Sequence, residues 1–273
     1  MIIKTLVENR SISEDFDSEH GFSLYIETNS RKILFDAGAS ELYLENAKKL
    51  NVDISDVDVL IISHGHNDHG GGIRAFLNEN KKAKVYVNSL AFGKYYAHHP
   101  NEELKYIGLE EELEGSERIV FASDQLFISK GIQVFSSITQ KEPPPTANSS
   151  LFMEQNGQIV KDTFIHEQNL IVEEDAKTLL IVGCAHNGII NILEHFRSLK
   201  GRMPDYVIGG FHLSSPSGGM EDFDIIEKIG KYLIGTRAKY YTCHCTGIEP
   251  YNRLKEIMGD SIDYLPAGSE MTI

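Results

Sequence analysis

Apolar residues recur along this chain in two rhythms. Short runs rich in Ile, Val, Leu, Phe or Tyr at 2–7, 22–27, 32–35, 58–62, 84–88, 132–135, 169–173, 178–183, 205–209, 239–243 and 262–265 predict β-strands. Between some of them the spacing lengthens to that of a helix face, as with Ile189, Leu193 and Phe196 in 188–198 and Ile225, Ile226, Ile229 and Leu233 in 221–234. Leu44, Ala47 and Leu50 in 40–50, and Tyr251, Leu254 and Met258 in 250–258, predict two more helices. Hairpin-like strand runs followed by β-α pairs occur in both halves. This order predicts an α/β fold in which two sheets face each other with helices outside, a four-layer αββα sandwich spanning 1–273 as a single domain. Pro143–Pro145 suits neither a helix interior nor a central strand, so the join between the two β-rich halves is expected near 140–150.

Composition narrows the class. With 41% hydrophobic and 24% charged residues the chain can bury a core, which excludes a disordered tail. A net charge of -14 without a Lys/Arg-rich stripe repels phosphate backbones, so nucleic acid is not an expected partner. No apolar run approaches the roughly 20 residues of a bilayer-spanning helix, and MIIKTLVENR lacks the apolar core and cleavage site of a leader. No membrane partner and a cytoplasmic location are therefore expected. Three cysteines, Cys184, Cys243 and Cys245, do not suggest a disulfide framework.

The chemistry concentrates where the strand Val57–Ser63 runs into His64-Gly65-His66-Asn67-Asp68-His69, followed by Gly70, Gly71 and Gly72. An extended backbone projects His64 and His66 to one side, and the following turn can bring Asp68 and His69 round from another, so one segment can feed two adjacent metal ions. The glycines are expected to serve unusual backbone angles and close approach. A single histidine here would read as a polar loop; three histidines and an aspartate within six residues do not.

These residues resemble the metallo-β-lactamase superfamily, whose His-x-His-x-Asp-His signature stands here as HGHNDH. Asp36 in LFDAG, His186 in LLIVGCAHNG and His244 in YYTCHCTG match further motifs of that family. The resemblance implies that His64, His66 and His186 hold one divalent ion and Asp68, His69 and His244 a second, with Asp36 orienting the ligand loop behind them. Zinc is the expected metal; iron and manganese suit the same ligands. The combination GCAHNGI, GGFHL and HCTG is similar to the branch related to dihydropterin–ribofuranosylaminobenzene phosphate synthase.

One departure stands out. The family usually supplies a metal-bridging aspartate near the end of a later strand, and VIGGFHLSSP, residues 207–216, contains none. Asp205 lies about 16 Å of extended chain before Gly210, which leaves His212 to ligate a metal, contact substrate or cap a loop. If the strand through His244 continues, Cys243 and Cys245 share the opposite face and belong to the core. His166-Glu167, just before the strand NLIVEE, could approach the site but is expected as a surface pair. Ser214, with the loop to Gly219, and the turn Thr246-Gly247 are candidate contacts for a phosphorylated small molecule.

Two divalent ions in such a cage point first to a hydrolase that uses a metal-activated water on an ester, amide, lactone or phosphoester, with Asp68 and His212 as catalytic residues. A transferase or synthase acting on a phosphorylated pterin-like substrate is the alternative. A non-hydrolytic metal sensor or redox di-iron protein is a third reading, which the absence of a flavin-binding or Fe–S-type module does not favour.

Overall fold

The computed structural model describes residues 1–98, 103–215 and 219–273. In chain order its strands are β1 (Ile2–Val7), β2 (Ser23–Glu27), β3 (Lys32–Phe35), β4 (Val59–Ile61), β5 (Lys84–Asn88), β6 (Tyr95–Ala97), β7 (Lys105–Tyr106), β8 (Ile119–Ala122) and β9 (Gln125–Ser129). There follow β10 (Ile132–Phe135), β11 (Leu151–Gln155), β12 (Gln158–Lys161), β13 (Asn169–Glu174), β14 (Lys177–Ile181), β15 (Tyr206–Gly209), β16 (Lys239–Thr242), β17 (Ile262–Tyr264) and β18 (Glu270–Thr272). The α-helices are α1 (Leu42–Lys49), α2 (Asn67–Gly70), α3 (Ile73–Glu79), α4 (Ile189–Lys200), α5 (Phe223–Thr236) and α6 (Ile248–Met258).

Among the described residues two seven-stranded sheets form, β18-β1-β2-β3-β4-β5-β8 and β17-β16-β15-β14-β13-β10-β9, with a smaller sheet β12-β11-β6-β7 beside them. The central strands are apolar on both faces because both faces are covered. Ile33, Phe35, Val59 and Ile61 meet Val134, Leu170, Val172, Leu179, Ile181 and Ile208 between the two sheets. The alternate residues Leu34 and Leu60 pack outward with Tyr43 and Ala47 of α1 and Ile73 and Phe76 of α3. On the other outer face Leu180, Val207 and Tyr240 pack with Ile192, Phe196, Leu233 and Leu254 from α4, α5 and α6. The αββα expectation is therefore met, and no helix among the described residues is long and apolar enough to cross a membrane.

One expectation needs correction, and one element was not expected. The chain crosses from the first sheet to the second between β8 and β9, at Ser123–Asp124, and not near 140–150. The prolines instead lie in a loop after β10, inside the second half, on the long connection between β10 and its partner strand β13. The small sheet was also unforeseen: β6, β7, β11 and β12 are two to five residues long, too short for alternation to declare itself.

Strand polarity positions the site. β3, β4 and β5 run parallel, as do β14, β15, β16 and β17, so the segments that leave their C-terminal ends gather along one rim. β13 runs antiparallel to β14, which brings the residues before β13 beside those after β14. At the end of β15, Gly209 has φ +138°, and a Cβ there would lie 1.9 Å from the Val182 carbonyl oxygen. Gly209→Ala is expected to destabilise the protein by about 2–5 kcal/mol, read as a lower urea midpoint, because neither backbone can yield without breaking the β14–β15 pairing.

Candidate metal centre

The turn after β4 is built from the backbone outward. Asp36, left-handed at φ 58°, follows β3 and is fully buried. One of its carboxylate oxygens accepts the Ser63 N–H at 2.7 Å; the other accepts the Ser63 hydroxyl at 2.7 Å and lies 2.7 Å from His69 Nδ1. The Ser63 hydroxyl, its proton given to Asp36, accepts from His64 Nδ1 at 2.8 Å. Asp36 thus contacts one ligand candidate, His69, directly and a second, His64, through the serine. The glycines after the motif work by close approach alone: Gly71 and Gly72 are right-handed at φ -60° and -79°, and a Cβ on either would lie 2.2 Å from a carbonyl oxygen, of Ala39 and Ala37 respectively. The expected unusual φ is absent there.

The second half contributes three turns. His186 Nδ1 lies 2.9 Å from Asn148 Oδ1, and Asn148 Nδ2 donates to the His186 carbonyl, which fixes the amide orientation and puts the imidazole proton on Nδ1. His244 Nδ1 lies 2.7 Å from Asn9 Oδ1, which also accepts the Gly21 N–H. His212 is left-handed at φ 49° and 6% exposed, its ring centroid is 4.2 Å from that of His186, and neither of its nitrogens has a hydrogen-bond partner among the described residues.

The inward nitrogens then converge. His64 Nε2 and His186 Nε2 are 3.3 Å apart, and His64, His66 and His186 form one group of potential ligands. His69 Nε2 and His244 Nε2 are 3.2 Å apart, with Asp68 Oδ2 at 3.2 Å from His244 Nε2 and 3.6 Å from His69 Nε2. All six residues expected from the sequence thus come together, although His186 and His244 are 122 and 175 positions from their partners. Burial holds His64 and His186 well below the usual histidine range, so both rings are neutral and present bare Nε2 lone pairs to each other. Two facing lone pairs repel unless a cation lies between them. Tetrahedral coordination at about 2.0–2.1 Å would set two nitrogens roughly 3.3 Å apart.

The charge balance points the same way. Glu8, Asp36 and Glu167 are almost wholly buried, Asp162 is 8% exposed, and Asp68 lies on the cavity floor. Among the described residues none of these five pairs with a Lys or Arg side chain; their partners are histidines, backbone N–H groups, an amide and hydroxyls. Burial opposes ionisation of Asp68, but His69, His20 and His244 hold its carboxyl well below the usual range. Burial likewise opposes charge on His69, yet Asp68 and Asp36 push it up to about 9. The residues present fit a cationic metal centre: at neutral pH a proton on His69 stands where an ion would.

Several residues were misplaced or missed by the sequence reading. His166 and Glu167 are not a surface pair but fully buried, because the antiparallel start of β13 lies against the rim. His166 Nδ1 accepts the Gly65 N–H at 2.9 Å and its Nε2 faces Asp162 at 3.1 Å; Glu167 accepts the backbone N–H of His186 at 2.6 Å. The strand through residues 239–242 stops at Thr242, and a left-handed His244 turns Cys245 inward, so only Cys243 joins the core. Cys184 was not singled out at all, yet its Sγ lies 3.1 Å from His69 Nε2. Burial raises the Cys184 thiol well above its usual range.

The chain's expected substrate contacts fare unevenly. Thr246 is wholly buried, its hydroxyl accepts the Phe211 N–H and shares a hydrogen with Thr242, and the Gly247 N–H donates to the His244 carbonyl, so neither group faces the cavity. Ser214 pairs with Met220 across an isolated bridge. Pro216, Ser217 and Gly218 of the same loop lie outside the described residues. The cavity over the centre, about 410 Å³, is lined instead by His20, Lys105, Ser150, His212, Ser215 and the small-sheet residues Ala97 and Leu151, besides the centre itself.

Comparison with known proteins decides the family. The model of the metallo-beta-lactamase superfamily matches residues 17–215. The chain belongs to the metallo-β-lactamase superfamily. Within that superfamily it is 30% identical, over 97% of its length and 94% of the relative's, to 7,8-dihydropterin-6-methyl-4-(beta-D-ribofuranosyl)-aminobenzene-5'-phosphate synthase of Methanocaldococcus jannaschii. It superposes with TM-score 0.85 and 30% identity on Tm1679, a metal-dependent hydrolase of the beta-lactamase superfamily, covering 100% of this chain and 99% of that one. Zn(2+)-bound PqqB from Methylobacterium extorquens shares the fold, with TM-score 0.60, 10% identity and full coverage of both chains.

Because a cation at the His69–His244 pair must displace the proton that His69 retains up to pH about 9, metal binding should release protons at neutral pH. Zinc affinity is expected to rise by about tenfold per pH unit for each proton displaced, with a slope that falls by one proton above pH about 9. Calorimetric titration of metal-free protein in buffers of different ionisation enthalpy, across that range, measures both the proton count and the slope.

Proposed function

We propose that this member of the metallo-β-lactamase superfamily is a cytoplasmic metal-dependent hydrolase of a small phosphorylated molecule. One observation carries the reading: two pairs of buried imidazole nitrogens face each other at 3.3 and 3.2 Å beneath a cavity of small-molecule size. His64, His66 and His186 would hold one divalent ion, zinc by default, and Asp68, His69 and His244 a second. When bound, such ions supply Lewis acidity and a nucleophile at neutral pH.

The chain's own groups do the rest. Asp68 lies at the cavity floor against His20, His69 and His244, and orients the attacking nucleophile by accepting its proton. His212, buried with both nitrogens free, donates to the oxygen on which negative charge develops. Lys105 and His20 line the cavity and supply positive charge for a phosphate in an otherwise acidic protein. The small sheet covers the centre on the side of Ala97 and Leu151 and limits water there.

A synthase acting on a phosphorylated pterin is the second reading, favoured by the Methanocaldococcus jannaschii relative, which matches nearly the whole chain. One scaffold and centre can host either chemistry. The two readings separate in one assay: metal-loaded protein is given a phosphoester and lactone panel in isotopically labelled water and, in parallel, a dihydropterin diphosphate with an arylamine ribotide. Label in the released product supports hydrolysis, and a condensed product with no label supports the synthase. In either case Asp68→Ala is expected to lower turnover by about a hundred- to ten-thousandfold while far-ultraviolet circular dichroism stays native; full activity in that variant would remove Asp68 from the reaction.

A further inference from the structure

The centre has six expected ligands in two groups and no carboxylate between them. His212, the residue nearest the sequence position of the family's bridging aspartate, does not fill that gap. Its ring stands beside that of His186, and a neutral imidazole offers a single lone pair on one nitrogen, which cannot serve two ions some 3.5–4 Å apart. A single atom that can share its electron pairs with both ions is required.

Cys184 has such an atom in that place. It lies three residues past the end of β14, one residue ahead of the left-handed Ala185 and two ahead of His186. Its sulfur lies within 4.8 Å of the ligand atoms of His64 and His69, of His186 and His212, and of His244 and Cys245. Those neighbours come from both ligand groups, and the distance to His69 Nε2 is 3.1 Å. The other two cysteines are differently engaged: the Cys245 thiol donates to the Cys184 carbonyl at 3.6 Å, and Cys243 packs between the sheets.

We propose that Cys184, as a thiolate, is the ligand that bridges the two metal ions of this centre. The inference rests on the metal-centre reading above. Ion binding transfers the thiol proton to solvent, and the resulting sulfur carries the single negative charge that a bridging carboxylate would carry, so the net charge of the loaded centre is preserved. The donor is softer. Thiolate selects zinc or iron over manganese or magnesium, which sets the metal preference of this chain within a ligand set that imidazole and carboxylate alone leave open. The gap in 207–216 is thereby closed from the end of β14 rather than the end of β15.

X-ray absorption at the zinc edge of the zinc-loaded protein tests this directly. A bridging sulfur gives each zinc a sulfur neighbour at about 2.3 Å, an average of one per zinc, whereas a terminal sulfur on one ion gives an average of one half. The shell is expected in the native protein and in Cys245→Ser, and lost in Cys184→Ser. Cys184→Asp should keep two zinc ions per chain with only nitrogen and oxygen neighbours. Bound zinc without sulfur in the native protein overturns the proposal, as does an average of one half, or a shell that survives in Cys184→Ser. Protein that takes up no zinc at all overturns the metal centre itself, and the bridge with it. If Cys184→Ser does not fold, the native sulfur count decides alone.

Discussion

Three buried carboxylates, one for each turn that carries candidate metal ligands, hold the centre together. Asp36 accepts the N–H of Ser63, Glu167 that of His186, and Glu8 that of His244, at 2.7, 2.6 and 2.6 Å. Each carboxylate lies behind its turn and each hydrogen bond is charge-assisted in a water-excluded place, where it is strong and where its loss leaves an unpaired charge. The arrangement orients every turn from the rear and loads the surroundings with negative charge that no Lys or Arg among the described residues neutralises. Geometry and electrostatics therefore impose the same requirement, a cationic guest.

The turns that these carboxylates hold are themselves costly. Asp36, Ala185, His212 and His244 are all left-handed non-glycine residues, each within a few positions of the C-terminal end of a central strand. Such residues persist only where their surroundings over-determine them. Here the surroundings are the two halves of the molecule stitched across the rim: Ser63 O accepts from Gln168 N at 2.7 Å, Gln168 Nε2 reaches the Ile62 carbonyl, and the Gly65 N–H reaches His166. That sheet-to-sheet contact fixes the backbone on which His64 and His66 stand.

Much of this was readable in the chain. The eleven strand segments that alternation or apolar runs marked fall on observed strands, because central strands buried on both faces carry long Val, Ile and Leu runs. HGHNDH announced its chemistry by density alone, and Asp36, His186 and His244 stood in recognisable surroundings. The short strands of the small sheet carried no such pattern, and neither did Glu8, Asp162, His166 and Glu167, whose significance is a matter of what lies across the rim. Cys184 shows the limit most plainly: beside His186 it read as one of three scattered thiols, and only the convergence of both ligand groups on its sulfur gives it a role.

The sequence by itself determined the class of fold, the six metal-ligand candidates and the carboxylate behind the first turn, since these depend on local periodicity and on residue types crowded into one segment. Only the tertiary structure decided that Thr246 and Gly247 are turned to internal hydrogen bonds, that Cys245 faces inward, and that His166 and Glu167 are buried supports. Those facts follow from strand direction and from left-handed turns, which bring residues more than a hundred positions apart to within about 3 Å. Sequence spacing does not encode such distances.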